Sequence, residues 1–248
     1  MVTVADQGRG SAPARTLPSG QNGRMCNRYV PPEVADVERL WHIGARQPWQ
    51  RGLVFPRAQG PFLRAARDGS GVELVTGSFG LVPWFSKTRE VKYATQNARF
   101  EELANKASYK TPWARGQRAL VLAESFDEPC WETGRNVWWR FRRADGRPWA
   151  LAGLWNTWID AGSGEIVESF TMLTLNADEH PLMARMHKPD PKIPADQQDK
   201  RSVVPIAPGD EAAWLFAPTD QAAHLVQLAP AEVFLAEPAE ATFGPART

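Results

Sequence analysis

The chain has 248 residues, 43% of them hydrophobic and 23% charged, with a formal net charge of +1, which is typical of a globular protein that buries one substantial core. It has only two cysteines, Cys26 and Cys130, which excludes a disulfide-built secreted scaffold and a four-cysteine zinc site. The near-neutral charge neither supports nor excludes nucleic-acid binding, because phosphate contacts require only a local basic patch.

The two ends of the chain differ from its middle. Residues 1–24 are rich in Gly, Pro, Ser, Ala and Arg, so we expect a disordered leader, and we expect a loose tail over residues 238–248. The leader lacks the apolar centre of a secretory signal, and no segment approaches the roughly 18 to 20 apolar residues of a membrane helix. We therefore expect one cytoplasmic domain over residues 25–237, with no membrane partner.

The first predicted helix lies in PPEVADVERLWHIG at residues 31–44, behind two prolines. Residues 45–70 have the prolines and glycines of a loop, and a strand is predicted from Val72 to Val75, ending in FGLVPWFSK at residues 79–87. Residues 93–117 are predicted to be mostly loop with some helix.

The middle of the chain is predicted to be rich in β-strands. RALVLAESF at residues 118–126 and ESFTMLTLNA at residues 168–177 each predict a strand. In VWWRFRRADGRPWALAGLWNTW at residues 137–158, Asp145 and Gly146 predict a hairpin turn between two aromatic-rich strands. Six of the eleven tryptophans lie within residues 131–158, which indicates an aromatic core, a stacking surface, or both.

The last part of the chain predicts a helix in ADEHPLMARM at residues 177–186, a loop over 188–200, a short strand at 203–206 and a late helix at 208–217. No repeat period is visible. The whole pattern predicts an α+β fold, a single domain with a mixed, mainly antiparallel β-sheet or barrel-like core flanked by short helices, rather than alternating βαβ units.

Few side chains near predicted strand ends could act as a nucleophile or a proton carrier. A lone cysteine or histidine is more often part of a packed structure, and a glutamate at a strand end is often a solvated carboxylate. The residue types alone therefore leave several candidates open: Cys26, Asn97, Arg99, Glu124, Glu128, His180 and His187.

The chain contains, in this order, the segments MCNRY, NARFE, RALVLAESFDEP and HPLMARMHKP. Together these segments resemble motifs of the SOS-response-associated peptidase family of abasic-site processing, HMCES-like proteins. MCNRY at residues 25–29 resembles the family's initial Met-Cys-Gly-Arg-aromatic motif, and NARFE at residues 97–101 is similar to its Asn-Ala-Arg-x-Glu. RALVLAESFDEP at 118–129 resembles its Arg-Cys-Leu-Val-Pro-Ala-x-Gly-Phe-Tyr-Glu-Trp strand, and HPLMARMHKP at 180–189 resembles its segment ending in His-x-Arg-Met-Pro. Each match alone is weak, but their common order is strong evidence.

Two shorter segments extend the resemblance to about residue 206. FGLVPWF at residues 79–85 resembles the family's Trp-Gly-hydrophobic-hydrophobic-Pro segment, and LAGLWNTW at 151–158 resembles its Ala-Gly-Leu-Trp strand. The chain departs from the family by an insertion that precedes Lys200 and by four substitutions, which are Asn27 for Gly, Ala119 for Cys, Ser125 for Gly and Pro129 for Trp.

The resemblance implies four catalytic residues. Cys26 would capture the aldehyde of an abasic site, Glu128 and His187 would carry protons, and Asn97 would hold the reacting sugar or the Cys26 amine. In this register Glu124 and His180 are not the catalytic glutamate and histidine. Cys130 is expected to be an inert thiol, and Asp127 and Glu101 are expected to be structural or to orient Arg99.

The resemblance also implies contacts with DNA. Arg99, with Arg28 as a second, would pair with phosphates beside the lesion, and Trp84 and Phe85 would stack on an exposed base. The structural alternatives are a salt bridge for Arg99 and a loop anchor in the core for Trp84.

A thiazolidine requires a free α-amine and a thiol on the same residue, yet Cys26 is not the first residue of this sequence. Two routes would expose the amine: translation starts at Met25 and that Met is removed, which we favour, or the 24-residue leader is removed by self-processing.

The sequence thus predicts an abasic-site crosslinking and processing enzyme of the response to DNA damage, associated with the nucleoid when on DNA. It would bind single-stranded DNA as a monomer, without a metal or an organic cofactor. One alternative is a cysteine peptidase, including self-processing before Cys26. Another is a single-strand binding module with no chemistry of its own.

Overall fold

The computed structural model describes residues 28–44, 49–194 and 197–239. The predictions for the leader, for Cys26 and for most of the C-terminal tail lie outside the described residues. No helix in the described part is long and apolar enough to cross a membrane.

A small antiparallel sheet contains the first strand of the described chain and the last. Its four strands lie in the order β1, β6, β7 and β11, with each neighbouring pair antiparallel. Their bounds are β1 (Arg28–Val30), β6 (Ser125–Cys130), β7 (Val137–Arg143) and β11 (Phe234–Pro238).

The larger sheet closes on itself. It contains β2 (Gln59–Ala65), β3 (Val72–Phe79), β4 (Asn97–Arg99), β5 (Arg118–Ala123), β8 (Trp149–Ile159), β9 (Ile166–Asn176) and β10 (Arg201–Val203). The order β9-β3-β2-β5-β8 returns to β9, because β8 pairs along β9. Both β3 and β4 are parallel to β9, and the other pairs are antiparallel. The predicted mixed, mainly antiparallel barrel-like core is therefore confirmed.

Strand β5 divides the core into two layers, because successive side chains of a strand point to opposite faces. Ala119, Val121 and Ala123 pack in the cluster that joins the barrel to the small sheet, while Leu120 and Leu122 pack in the cluster under the helices. All six residues of β5 are buried. The apolar run that predicted this strand is explained by burial on both faces.

Within the described residues, four short helices cover the second layer. They are α1 (Val34–Trp41), α2 (Ala107–Ala114), α3 (Glu211–Phe216) and α4 (Thr219–Ala223). Each contributes to the same apolar cluster through Val37, Tyr109, Trp214 and Ala222 respectively. The predicted first and late helices are confirmed in α1 and α3, and α2 is the helix expected within residues 93–117.

The predicted hairpin over residues 137–158 is wrong. Asp145 and Gly146 do form a turn, and Gly146 has a φ of 73°. The strands on its two sides, however, lie in different sheets, since β7 pairs with β6 and β11 whereas β8 pairs with β5 and β9. A turn signal fixes where the chain reverses, but non-local pairing decides which strands become neighbours.

The helix predicted over residues 177–186 and the loop predicted over residues 45–70 also differ from the structure. The helix expected over residues 177–186 is reduced to one 3-10 turn at Met183–Arg185, and the His180 ring accepts hydrogen bonds from the Leu182 and Met183 amides ahead of it. The loop expected over 45–70 contains β2. Pro61 precedes Phe62, where pairing with β5 begins, so its missing N–H costs no bond to that strand.

Other strand boundaries also differ from the predictions. Residue 124 separates β5 from β6, so the strand predicted over 118–126 is two strands in two sheets. The strand predicted at 203–206 lies earlier, at Arg201–Val203. The short strands β1 and β4 and the late strand β11 were not predicted, because three to five residues carry little periodicity.

Gly153 permits the close approach of β8 and β9. A Cβ atom at this position would collide with the backbone oxygen of Thr171, so Gly153→Ala should lower the free energy of unfolding by about 1–3 kcal/mol through overpacking. Urea denaturation measures the difference. Gly44→Ala is the matched control, because a Cβ there meets nothing within 4 Å. An unchanged stability of Gly153→Ala would contradict this account of barrel closure.

Candidate active site

Glu128 and His187 form a buried hydrogen-bonded pair. The Nε2 atom of His187 lies 2.9 Å from Oε2 of Glu128, and the two residues are 3% and 1% exposed. Glu128 lies on β6, on the same face as Phe126 and Cys130, which belong to the core between the sheets. A carboxylate and an imidazole in contact away from water can pass a proton between themselves and a third group.

The backbone leading into His187 is fixed to β6. Met186 forms a β-bridge with Cys130, and the His187 amide donates to the Pro129 oxygen at 2.6 Å. His187 itself has a left-handed φ of 66°, which is uncommon for a residue other than glycine. Its Nδ1 atom is buried and has no hydrogen-bond partner among the described residues. The pair thus leaves one ring nitrogen for another group.

Lys200 holds the same turn from the other side. Its ammonium donates to the backbone oxygens of Met186 and His187 at 2.6 and 2.8 Å. Burial lowers the pKa of Lys200, as expected for an ammonium that exchanges water for backbone carbonyls. In the sequence, Lys200 stands out only because it follows an insertion, and its role as a donor to the His187 turn depends on a contact that no motif reveals.

Asn97 begins β4 and is 6% exposed. Its backbone oxygen accepts a hydrogen bond of 3.1 Å from the Tyr109 hydroxyl, and burial raises the pKa of Tyr109, so that the phenol remains a donor. Asn97 lies beside Met172 in the sheet, and Met172 packs in the same cluster as Met186, which precedes His187. Asn97 and the Glu128–His187 pair therefore border one shared core.

A cavity of about 680 Å³ lies next to β4. Tyr93, Thr95 and Gln96, which precede Asn97, contribute to its lining, and Glu128 and His187 do not. The cavity therefore belongs to the barrel and is separate from the Glu128–His187 pair.

Arg99 lies two residues after Asn97 at the end of β4, and its side chain is 39% exposed. It pairs with Asp199 at 2.5 Å and more loosely with Glu102 at 3.4 Å. Glu101, expected to be structural, pairs instead with Arg201 at 2.8 Å. The salt bridge expected as the structural alternative for Arg99 is thus present, and its guanidinium also remains accessible to water.

Arg28, the first described residue, is anchored on the small sheet. Its Nε donates to Asp127 at 2.9 Å, and its guanidinium carbon lies 3.9 Å from the ring centroid of Trp138. Asp127 is completely buried and also receives two hydrogen bonds from Arg140, which raise the pKa of Arg140. The buried carboxylate fixes the start of β1 beside β6.

Trp84 and Phe85 are presented to solvent rather than to the core. They are 64% and 43% exposed, and their ring centroids lie 5.7 Å apart in an edge-to-face arrangement. The preceding Val82 is buried and fixed through its backbone, which donates to Ser169 Oγ and accepts from Asn156. The loop-anchor alternative for Trp84 is wrong, because Val82 anchors this loop.

His180 and Glu124, the other candidate histidine and glutamate, lie outside the Glu128–His187 pair. His180 Nε2 lies 2.8 Å from the Ala229 oxygen and its Nδ1 caps the following turn, whereas Glu124 lies between β5 and β6 without forming the pair with His187. Burial raises the pKa of the Cys130 thiol, which opposes thiolate formation. The described residues contain no group of three or more metal-ligating side chains. Cys26 lies outside the described residues.

The Lys200 contacts generate a prediction about stability. Lys200→Met should lower the free energy of unfolding by about 1–3 kcal/mol, because two buried carbonyl oxygens lose a charged donor. Chemical denaturation measures the loss, and Lys192→Met, which removes an exposed lysine nearby in the sequence, should have little effect. Equal stabilities of the two variants would show that the Lys200 contacts do not support the turn.

A family model and two individual relatives of this chain point to the same protein family. The model of the family described as SOS response associated peptidase (SRAP) matches residues 25–242. The abasic site processing protein HMCES of Gallus gallus is 29% identical over 211 residues, which cover 71% of this chain and 57% of that protein. The abasic site processing protein YobE of Bacillus subtilis (strain 168) is 30% identical over 146 residues, covering 58% of this chain and 64% of that protein. The chain thus spans less than two thirds of either relative.

Solved structures agree on the fold. A crystal structure of a protein from Bordetella bronchiseptica is 29% identical, has a TM-score of 0.78, and covers 87% of this chain and 100% of its own. A second, from Bacteroides thetaiotaomicron, is 17% identical with a TM-score of 0.70, covers 87% and 93%, and supports the fold alone. Since the family model spans most of the sequence, this chain belongs to the SOS response associated peptidase (SRAP) family.

Proposed function

We propose that this chain processes abasic sites in single-stranded DNA by joining Cys26 to the aldehyde of the damaged sugar. The observation that carries this proposal is the buried Glu128–His187 pair, in which Glu128 lies on β6, the strand next to β1. Arg28 pairs with Asp127, the neighbour of Glu128, and Cys26 precedes Arg28 by two residues. The proposal requires the Cys26 amine to reach the pair from Arg28, and two residues span at most about 7 Å.

The reaction balances without a cofactor. The α-amine of Cys26 attacks the aldehyde carbon of the ring-opened sugar, and loss of one water gives a Schiff base. The Cys26 thiolate then adds to the same carbon, and the nitrogen regains a proton, which closes a thiazolidine. An α-amine has an unperturbed pKa of about 7.7–8.0, so a useful fraction is neutral and nucleophilic at pH 7. The process requires Cys26 to be the first residue of the active protein.

Glu128 and His187 serve as the proton carriers of these steps. Opening the sugar ring moves a proton from its hydroxyl to the ring oxygen, and Schiff-base formation requires a proton for the departing water. The Glu128–His187 hydrogen bond provides one site that holds a proton and one that accepts it. Asn97, whose backbone is fixed by Tyr109, holds the sugar or the Cys26 amine.

The DNA strand runs over the exposed residues around this pair. Arg99 and Arg28 contact the phosphates beside the lesion, and Trp84 and Phe85 stack on an unpaired base. The exposure of the two rings and of the Arg99 guanidinium supports these roles. The protein acts as a monomer on a single strand, in which the bases beside the lesion are accessible.

A peptidase remains the second candidate, and one observation favours it. The buried Nδ1 atom of His187 has no described partner and could take the proton of a cysteine thiol. A peptidase can function with the Cys26 amine blocked, whereas aldehyde capture cannot.

The test is a denaturing gel of the protein expressed from Met25, with Cys26 verified as N-terminal, after incubation with single-stranded DNA that carries one abasic site. We expect a heat-stable crosslink that is lost in Cys26→Ser and after acetylation of the α-amine. Glu128→Gln should form it at least tenfold more slowly, since removal of a proton carrier typically costs a factor of about 10²–10⁴.

Two controls separate the alternatives. Glu124→Gln removes a carboxylate from the adjacent segment outside the pair and should crosslink at the normal rate. Undamaged DNA should give no band. A crosslink that survives acetylation, or no crosslink with a verified N-terminus, would contradict aldehyde capture, and cleavage of peptides by the acetylated protein would support the peptidase. Unchanged damage protection in Cys26→Ser would support a binding module without chemistry.

A further inference from the structure

Asp199 forms an ion pair with Arg99, the arginine that the proposed function assigns to a DNA phosphate. Its carboxylate lies 2.5 Å from Nη2 of Arg99, and the two side chains are 37% and 39% exposed. Asp199 ends the segment between His187 and Lys200 that distinguishes this chain from its family motif. The segment therefore places a negative charge at the position that a phosphate would take.

The other charges around Arg99 do not leave a positive surface. Glu102 lies 3.4 Å from Arg99 and 3.3 Å from Lys106, and Glu101 lies 2.8 Å from Arg201. Each cation in this group has a carboxylate beside it. A phosphate that approaches Arg99 therefore meets a nearly neutral cluster, and the like charge of Asp199 opposes its binding.

The Asp199 carboxylate can move away from Arg99 without leaving its second partner, Arg201, without other hydrogen-bond acceptors. It also contacts Arg201 at 3.2 Å, but Arg201 keeps Glu101 and donates to the Thr174 oxygen at 2.8 Å. An ion pair between partly exposed side chains contributes little net free energy, so a DNA phosphate, which carries the same single charge as the carboxylate, can displace it. The backbone of Asp199 has a left-handed φ of 52°, a conformation that Asn and Gly also adopt readily.

We propose that Asp199 is an internal counter-ion that a DNA phosphate displaces from Arg99, and that it thereby sets the affinity of this chain for single strands. The proposal rests on the proposed function, because it takes Arg99 as a phosphate contact. It adds an affinity-determining residue outside the predicted site. Displacement exchanges one anion for another on the same guanidinium, so fewer salt ions are released than at an unoccupied arginine.

The test measures non-covalent binding of a dye-labelled, undamaged oligo-dT strand by fluorescence anisotropy over a range of salt concentrations. Asp199→Asn should bind about three- to tenfold more tightly at low salt. The plot of log affinity against log salt should become steeper by about 0.7, the value for one additional neutralised phosphate on a single strand. Melting temperatures verify that the variants are folded, and Asp199→Gly provides a second variant that tolerates the backbone conformation.

Two controls isolate the contact. Glu179→Gln removes one exposed negative charge from a neighbouring turn, so its effect measures the general change in charge. In an Arg99→Gln background, Asp199→Asn should no longer change the affinity, because the arginine that it unmasks is absent. The proposal is overturned if Asp199→Asn binds no more tightly than Glu179→Gln, if the salt slope is unchanged, or if the gain persists without Arg99.

This test can fail separately from the proposed function. A normal crosslink at an abasic site together with unchanged oligo-dT binding by Asp199→Asn would reject the counter-ion and retain aldehyde capture. No crosslink by the verified protein, together with tighter binding by Asp199→Asn, would reject aldehyde capture and retain Arg99 as a phosphate contact governed by Asp199.

Discussion

The hydrogen bond of 2.9 Å between Glu128 and the ring of His187 is buried, and the surrounding structure has to hold both side chains in place. Two titratable groups so far from water are costly to bury unless each has well-placed partners. The small sheet supplies Glu128 from a strand paired on both edges, while Pro129 and Lys200 hold the backbone of His187 from opposite sides. These contacts with residues distant in sequence hold the left-handed turn at His187, so the geometry of the pair depends on the surrounding fold.

Strand β9 brings the remaining parts of the site together. β4 pairs with β9 so that Arg99 lies beside Thr174, and β10 pairs with β9 so that Val203 also lies beside Thr174. The end of the inserted segment, which leads into β10, therefore arrives next to the end of β4. This arrangement explains how Asp199 reaches Arg99 from 100 residues further along the chain. An insertion at this point can change the charge around Arg99 without altering the Glu128–His187 pair.

The sequence predicted the general architecture and named Glu128 and His187 as candidate residues, but not the contacts that position them. Burial on both faces gave β5 a clear apolar run, and the family motifs selected Glu128 and His187 over Glu124 and His180. The assignment of β7 and β8 to different sheets could not be predicted from the turn at Gly146, because strand pairing is decided by distant segments. Lys200 and Asp199 act through hydrogen bonds and ion pairs across the fold, which leave no periodic or spacing signal.

Capture of the aldehyde through both the nitrogen and the sulfur of Cys26 is tested most directly by tandem mass spectrometry of the crosslinked protein after digestion with trypsin and nuclease. The account predicts a modified peptide that begins at Cys26 and ends at Arg28, heavier than the unmodified peptide by the sugar-containing remnant less one water. Its amine and thiol should both resist acylating and alkylating reagents. A remnant on a lysine, or on the Cys26 thiol alone with a reactive α-amine, would contradict the account.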